Sequence, residues 1–365
     1  MEWVSLITEK IKPSGQKSVL MNFKSWLREQ PTIFAKIVVY IISVGFALLF
    51  FSLIVIAIGC DPLIAFKTLF SSSIGSLPRL IETLVITTPL IFTGVAVAIA
   101  FKINFWNLGV EGQLFWGAIA LTYVGIFVTD VPPPIQFLLG FVLAFLMGGL
   151  WALIPGALKA YLRVNEIIVS IMLNFVTFLV VDYLASGPWH DPMGFEPLTY
   201  PVSESVTLPR LVLGTRFHIG LFIAILFAFL IYIILNKSRL GFEIKVVGDN
   251  AEAAKGCGIN IARAVVLTSI LSGGIAGLCG ASEIAGVHHR LLRGISPGYG
   301  FTGIIIALLA KNHPIWVIPV AFFFAILLSG SNALQRTIMM PAGAVYAIQA
   351  IVALCILIPE YVLRR

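Results

Sequence analysis

Two short polar stretches stand out in a chain that is otherwise strongly apolar. The first is NFWNLGVEGQ, residues 104–113, with two asparagines, a glutamate and a glutamine. The second is NEIIVSIMLNFVTF, residues 165–178, in which polar side chains recur at helical spacing. Inside a membrane, such amide and carboxylate groups either hydrogen-bond a polar solute or hold helices together. The chemistry they suggest is therefore binding or packing.

The second stretch puts four polar side chains on one face of a helix, at i, i+4, i+8 and i+11: Glu166, Ser170, Asn174 and Thr177. One interpretation is the wall of a translocation path. The other is hydrogen bonding between helices, worth about 0.6–2 kcal/mol per bond. The residues alone favour neither.

The first stretch has the same two interpretations. Asn107 could cap a following helix, and Glu111 and Gln113 could hydrogen-bond neighbours within a bundle. That packing account suffices, but the groups could also shape a path near the inner leaflet. The candidate path residues from both stretches are Glu166, Ser170, Asn174, Asn107, Glu111 and Gln113.

The composition identifies the setting as a membrane. Of 365 residues, 59% are hydrophobic and only 11% charged, whereas soluble domains are about 25% charged. Apolar runs long enough for helical spans follow one another with short polar breaks. They predict an all-α membrane protein with about ten transmembrane helices, at 37–58, 83–101, 111–129, 135–158, 166–185, 217–236, 264–284, 298–311, 314–331 and 342–359.

Charge sets the orientation. With the N-terminus inside, 17 Lys and Arg fall in inner segments and seven in outer ones, which favours two cytoplasmic termini and removes any need for a nucleic-acid partner. We expect residues 1–36 to form a cytoplasmic segment whose apolar residues between Val19 and Leu27 follow helical spacing, as in a helix lying on the inner membrane surface. The alternative is a frayed basic tail. Residues 37–365 then form one transmembrane domain.

Small residues predict where helices approach closely. Within the run 135–158 they recur at every fourth position, which permits backbone contact with a neighbouring helix. The members of this small-residue strip are Gly140, Ala144, Gly148, Ala152 and Gly156.

The order of parts repeats along the chain. A span, a polar break at 102–109 and a further helix are matched by the span 264–284, the Gly-rich break 286–300 and a short helix that Ser296 could cap. In the predicted topology the two units are inverted, as in transporters with broken helices. The alternative is chance resemblance between the halves.

Catalytic and metal sites are not indicated. No GxxxxGK[ST] occurs, so the chain has no P-loop of its own. The four cysteines are scattered, and the adjacent His288 and His289 lack further ligands, so we expect no metal and no cofactor in this chain. If transport is active, an ion gradient or another chain must supply the energy.

A long polar loop, 237–263, favours another chain. Asp249 or Asn250 can cap a short helix over 251–255 that ends at Gly256 or Gly258. A helix this short is unstable alone, so we expect it to dock on a partner.

VVGDNAEAAKGCGIN in this loop resembles the coupling-helix segment of ABC importer permeases of the branched-chain amino acid, ribose and nucleoside group. NFWNLGVEGQ, VNEIIVSIMLN, SGPWHDPMG and HHRLLRGISPGYGFTGIIIALLAKNHP are also similar to its nucleoside and simple-sugar subgroup, and the resemblance covers roughly 80–360. It implies coupling to an ATPase through Gly248, Asp249, Asn250, Glu252, Ala253, Ala254, Gly258 and Ile259.

The same resemblance implies a particular assembly. It comprises two permease subunits, identical or paralogous, two ABC ATPase subunits carrying ATP and Mg, and an extracytoplasmic substrate-binding lipoprotein docking on loops such as 187–216. The expected location is a bacterial or archaeal cell (inner) membrane. The function that the resemblance implies is ATP-driven uptake of nucleosides or related sugar-containing solutes by alternating access. The rival functions are an ion-coupled secondary transporter, an ABC importer for a simple sugar, and a multi-pass membrane enzyme.

Overall fold

The structure, a computed structural model, describes residues 32–194 and 196–337 and parts of 339–355. It divides into two compact units: Met1–Pro62 with Pro341–Arg365, and Leu63–Met340. The surface helix expected within 1–36 falls almost entirely outside the described residues, as does part of the span expected at 342–359.

In the first unit, α1 (Thr32–Ala57) contains most of the first predicted span. From residue 62 onward the helices are α2 (Pro62–Ile74), α3 (Leu77–Lys102), α4 (Val110–Phe127), α5 (Pro133–Leu162), α6 (Glu166–Ser186), α7 (Gly220–Lys237), α8 (Arg239–Asp249), α9 (Ala251–Gly256), α10 (Ile261–Glu283), α11 (Tyr299–Leu309) and α12 (Pro314–Thr337). A π-helical turn, Ile284–His288, continues α10.

Seven helices of the described chain are long and apolar enough to cross a membrane: α3, α4, α5, α6, α7, α10 with its π turn, and α12. The fold is therefore an all-α membrane protein, as the composition predicts. The span predicted at 298–311 is α11, which has only 11 residues. At 1.5 Å per residue, α11 is about 16 Å long and too short to cross alone.

Some boundaries differ from the sequence prediction. The helix α2 was not predicted, because Lys67 and the serines at 71–73 interrupt its apolar pattern. The helix α3 begins at Leu77 and not at 83, since Arg79 and Glu82 lower the hydropathy of a first turn that Pro78 favours. The helix α12 likewise extends past 331 to Thr337 through polar residues.

Contacts define two ends of the Leu63–Met340 unit. At the α9 end, Lys102 at the end of α3 packs on Gly248 at the end of α8. At the loop end, formed by residues 187–219, Glu82 in the first turns of α3 pairs with Arg216 at 2.5 Å. The helix α10 begins after α9 and finishes at the loop end, where Ala285 accepts a backbone hydrogen bond from Leu208 (2.9 Å). Hence α3 and α10 run in opposite directions between the same two ends.

The small-residue strip of α5 is buried, and it faces α10 and α4. A Cβ added to Gly148 would lie 2.8 Å from the Cα of Gly277, and closer still to the carbonyl oxygen of Gly273. The three helices thus approach through backbone contacts that only small residues permit. The predicted close packing is confirmed.

The substitution Gly148→Ala should lower the thermal stability of the detergent-solubilised protein, because neither backbone neighbour can move aside. Overpacking of this kind costs about 1–3 kcal/mol. Gly45→Ala in α1 is the matched control, since its added Cβ meets nothing within 4 Å. Equal unfolding temperatures for the two variants would contradict the packing described.

Candidate functional site

The loop predicted to couple to a partner contains two helices. Ser238 caps α8 by accepting a hydrogen bond from the N–H of Gly241 (3.0 Å). Asn250 caps α9 by accepting from the N–H of Ala253 (3.0 Å), so of the two predicted caps Asn250 is the one used. The chain then leaves α9 through Gly258, whose φ of +76° favours glycine.

The short helix α9 has an anchored face and an open face. Ala254 is buried, and Gly248 and Ile259 are half-buried. The remaining predicted coupling residues are exposed: Asp249, Asn250, Glu252, Ala253 and Gly258. The structure therefore presents the polar part of this segment to solvent at the α9 end.

Asn104 ties this segment to the break between α3 and α4. Its Nδ2 donates to the carbonyl oxygen of Gly248 (2.6 Å), and its backbone adopts a left-handed conformation with φ of 57°. Its own carbonyl oxygen accepts from Lys159 Nζ at 2.5 Å. The start of the break is thus held between the α8–α9 junction and the end of α5.

A cluster of side-chain amides fills the rest of the break. Asn107 and Gln113 exchange two hydrogen bonds (2.9 and 2.8 Å), and Asn107 also donates to Ser272 Oγ on α10 (2.9 Å). The N–H of Gly109 donates to Asn107 Oδ1 (3.1 Å). Gly109, and not Asn107 as predicted, is the N-cap position of α4, because the amide of Asn107 is committed to this cluster.

Glu111 connects the two interrupted regions. It lies in the first turn of α4 and is 2% exposed, and its Oε2 accepts from the N–H of Gly300 in the first turn of α11 (2.6 Å). Ser296 Oγ accepts from the N–H of Tyr299 (3.0 Å), but Gly298, and not Ser296 as predicted, is the N-cap position, because α11 begins only at Tyr299. A carboxylate at a helix N-terminus meets unpaired N–H groups and the positive end of the dipole.

The polar stripe of α6 faces α4. Asn174 accepts from the N–H of Gly112 (2.9 Å) and donates to the carbonyl oxygen of Leu108 (2.9 Å). Glu166 pairs with Lys159 at 2.5 Å and also accepts from the N–H of Trp106 (3.2 Å). These bonds satisfy backbone groups that the break leaves without helical partners.

All six candidate path residues therefore have hydrogen-bond partners within this chain, Ser170 through the carbonyl oxygen of Ile167. This favours the packing interpretation, and a role in solute contact stays a prediction. The sequence analysis missed Asn104, Lys159 and Ser272. Of their contacts, only the ion pair between Lys159 and Glu166 could have been predicted from the sequence, because these opposite charges are seven residues apart across the turn between α5 and α6.

The loop end is held by ion pairs. Asp191 pairs with Arg290 at 2.6 Å, and Asp182 with Arg293 at 3.0 Å. The N–H of Met193, which donates to the Asp191 carboxylate, lowers the pKa of Asp191, and Arg290 lowers it further. His218 is 1% exposed, and burial, helped by His289, lowers its pKa to about 4.

Within the described chain, no group of three or more His, Cys, Asp or Glu side chains is arranged to hold a metal ion. Glu283 and His288 approach only to 3.7 Å. No metal enters the functional argument.

Residues 79–358 match the protein family described as "Branched-chain amino acid transport system / permease component". The chain belongs to this family of permease components. As such it is a transport subunit and not an enzyme.

Three relatives are substantially similar to this permease component. It is 37% identical over 319 residues to the glucose ABC transporter permease protein TsgB13 of Haloferax volcanii, covering 85% of this chain and 84% of the relative. It is 33% identical to the guanosine ABC transporter permease protein NupP of Bacillus subtilis, covering 83% and 88%. Identity to the nucleoside ABC transporter permease protein NupB of Lactococcus lactis is 30%, covering 82% and 85%.

Replacing Asn174 should separate the packing and path interpretations. Asn174→Leu leaves the N–H of Gly112 and the carbonyl of Leu108 buried without partners, at about 1–3 kcal/mol each. We expect a lower unfolding temperature, with Phe175→Leu on the exposed face of α6 as the control. Unchanged stability together with impaired transport would contradict the packing interpretation and favour a solute contact.

His218 predicts a pH dependence at the loop end. Its folded pKa of about 4 lies below the ordinary value of 6.5. Neutral His218 therefore makes its full contribution to the free energy of unfolding above pH 6.5, and this contribution is lost as the pH falls towards 4. The unfolding temperature should drop as the pH falls from about 7 to about 4. The drop should be smaller in His218→Gln, and an identical drop in both proteins would refute the assignment.

Proposed function

We propose that this permease component is the membrane subunit of an ATP-driven importer that takes up nucleosides or related sugar-containing solutes by alternating access. Family membership over residues 79–358 is the observation that carries the transport role. The solute class is supported by the names of the relatives, which refer to guanosine, nucleosides and glucose.

In this proposal, ATP and Mg bind to a separate ABC ATPase, which docks on the exposed face of α9. The capped helix supports this, because Asn250 stabilises the first turn of α9 while Glu252 and its neighbours are exposed. A six-residue helix has little stability of its own. Because α9 is nevertheless formed and capped in this fold, we expect it to be stabilised further by docking on a partner. Closure of two ATPases would then move α9 and open or close the path.

The proposed membrane topology has about ten transmembrane helices, two inverted units and both termini in the cytoplasm. The opposite directions of α3 and α10 support inversion, and each is followed by a break and a further helix. The Lys and Arg distribution supports a cytoplasmic α9 end. The membrane would be the bacterial or archaeal cell membrane.

Two further partners are proposed, one of which binds at the loop end. We infer that loops such as 187–216 receive an extracytoplasmic substrate-binding lipoprotein, and that a second permease subunit, identical or paralogous, completes the pathway. The ion pair between Asp191 and Arg290 supports this role, because it fixes a loop that must present a defined surface.

A simple sugar is the second candidate solute. The relative at 37% identity is named a glucose permease, whereas the two at 33% and 30% are named guanosine and nucleoside permeases. Uptake by vesicles containing the assembled complex, measured with guanosine, other nucleosides and glucose in turn, would decide between them.

The ATPase partner can be tested by co-purification. The wild-type chain, extracted in mild detergent from cells that also express the candidate ABC ATPase, should retain this ATPase during purification. Glu252→Lys should release it because the charge is reversed on the exposed face of α9, whereas Glu204→Lys at the loop end should not. Solute uptake driven by an ion gradient in vesicles without ATP would overturn the proposal.

A further inference from the structure

The contact between Asn104 and Gly248 joins the proposed docking segment to the first break. Gly248 lies in the last turn of α8, just before the start of α9, and its carbonyl oxygen accepts from Asn104 Nδ2 (2.6 Å). A Cβ on Gly248 would overlap the carbonyl oxygen of Lys102. The end of α8, immediately before α9, is therefore in direct contact with the end of α3 at Lys102 and Asn104.

Asn104 is also linked to α5 and α6 by hydrogen bonds and an ion pair. Lys159 donates to the carbonyl oxygen of Asn104 at 2.5 Å and pairs with Glu166 at 2.5 Å. Glu166 in turn accepts from the N–H of Trp106 (3.2 Å). Asn104 thus lies between the α8–α9 segment, which is exposed to a partner, and the Lys159–Glu166 ion pair, which joins α5 to α6.

The break itself can transmit a displacement. From Asn104 the chain runs through the amide cluster of Asn107 to Glu111, whose carboxylate holds the N-terminus of α11 (2.6 Å to Gly300 N). The backbone bonds of residues 103–108 are local turn bonds and the longer-range bonds involve side chains, so a change in their arrangement need not unwind a helix, although Ile103 and Phe105 are buried in the bundle. Packed side chains and hydrogen-bond networks that have two discrete arrangements carry energetic coupling between distant sites.

We propose that Asn104 is the positioning residue through which movement of α9 reaches the first break and, by way of Glu111, the short helix α11. This rests on the proposed function, in which α9 docks on an ATPase. The role of Asn104 is to make the position of residues 103–111 depend on the position of α9.

The test uses the full complex of permease and ATPase, with amide hydrogen exchange measured with and without a non-hydrolysable ATP analogue and Mg²⁺. In the wild type, the nucleotide should alter exchange both in α9 and in residues 103–111. In Asn104→Gly, which keeps the left-handed backbone accessible but removes the hydrogen bond, the change in α9 should remain. The change in 103–111 should fall about fivefold, within the range of measured coupling effects.

Asn236→Ala is the matched control. Asn236 is an exposed asparagine near the same end of the unit, and its side chain bonds to Tyr232 and to Lys245 on α8 (2.7 Å) and not to the break. Its complex should respond like the wild type. In vesicles, solute uptake per ATP hydrolysed should fall in Asn104→Gly and not in Asn236→Ala.

Two results would overturn the inference. One is a wild-type exchange response in 103–111 of Asn104→Gly. The other is loss of the ATPase from Asn104→Gly while the wild type retains it, since the contact would then serve assembly. If the wild type itself retains no ATPase, the proposed function fails, and this inference fails with it.

Discussion

The hydrogen bond from Gly300 to the Glu111 carboxylate joins the two interrupted regions of the chain. Both α4 and α11 begin with backbone N–H groups that no preceding turn can satisfy, and both beginnings are buried. An unpaired N–H group in such surroundings is costly. One carboxylate from the first turn of α4 supplies an acceptor for α11, so the two breaks must lie side by side.

The remaining features follow from keeping those breaks buried. Asn107, Gln113 and Asn174 replace backbone partners along the first break, and Ser272 extends the cluster to α10. Glycines let α4, α5 and α10 approach closely enough for these short side chains to reach. Non-helical backbone at membrane depth is tolerated only under such conditions. A break built in this way can be both ordered and movable, which alternating access requires.

The sequence predicted the parts that depend on local pattern. Apolar runs predicted most helices, four-residue spacing predicted the packing strip of α5, and Asn250 followed by Gly258 predicted the bounded helix α9. It could not predict that Asn104 meets Gly248 or that Glu111 meets Gly300, because these pairs are 144 and 189 residues apart. The helix α2 was missed because its serines and lysine obscured the apolar pattern. The polar stripe of α6 was ambiguous because solute contact and helix packing use the same groups.

The most direct test of this account is amide hydrogen exchange at Gly300 and its neighbours in variants of Glu111. Glu111→Ala removes the acceptor, so exchange at 299–302 should accelerate markedly while the ends of α5 and α10 stay protected. Glu111→Gln keeps an oxygen in the same place and should retain most of the protection. Unchanged protection at 299–302 in Glu111→Ala would contradict the claim that this carboxylate joins the two breaks.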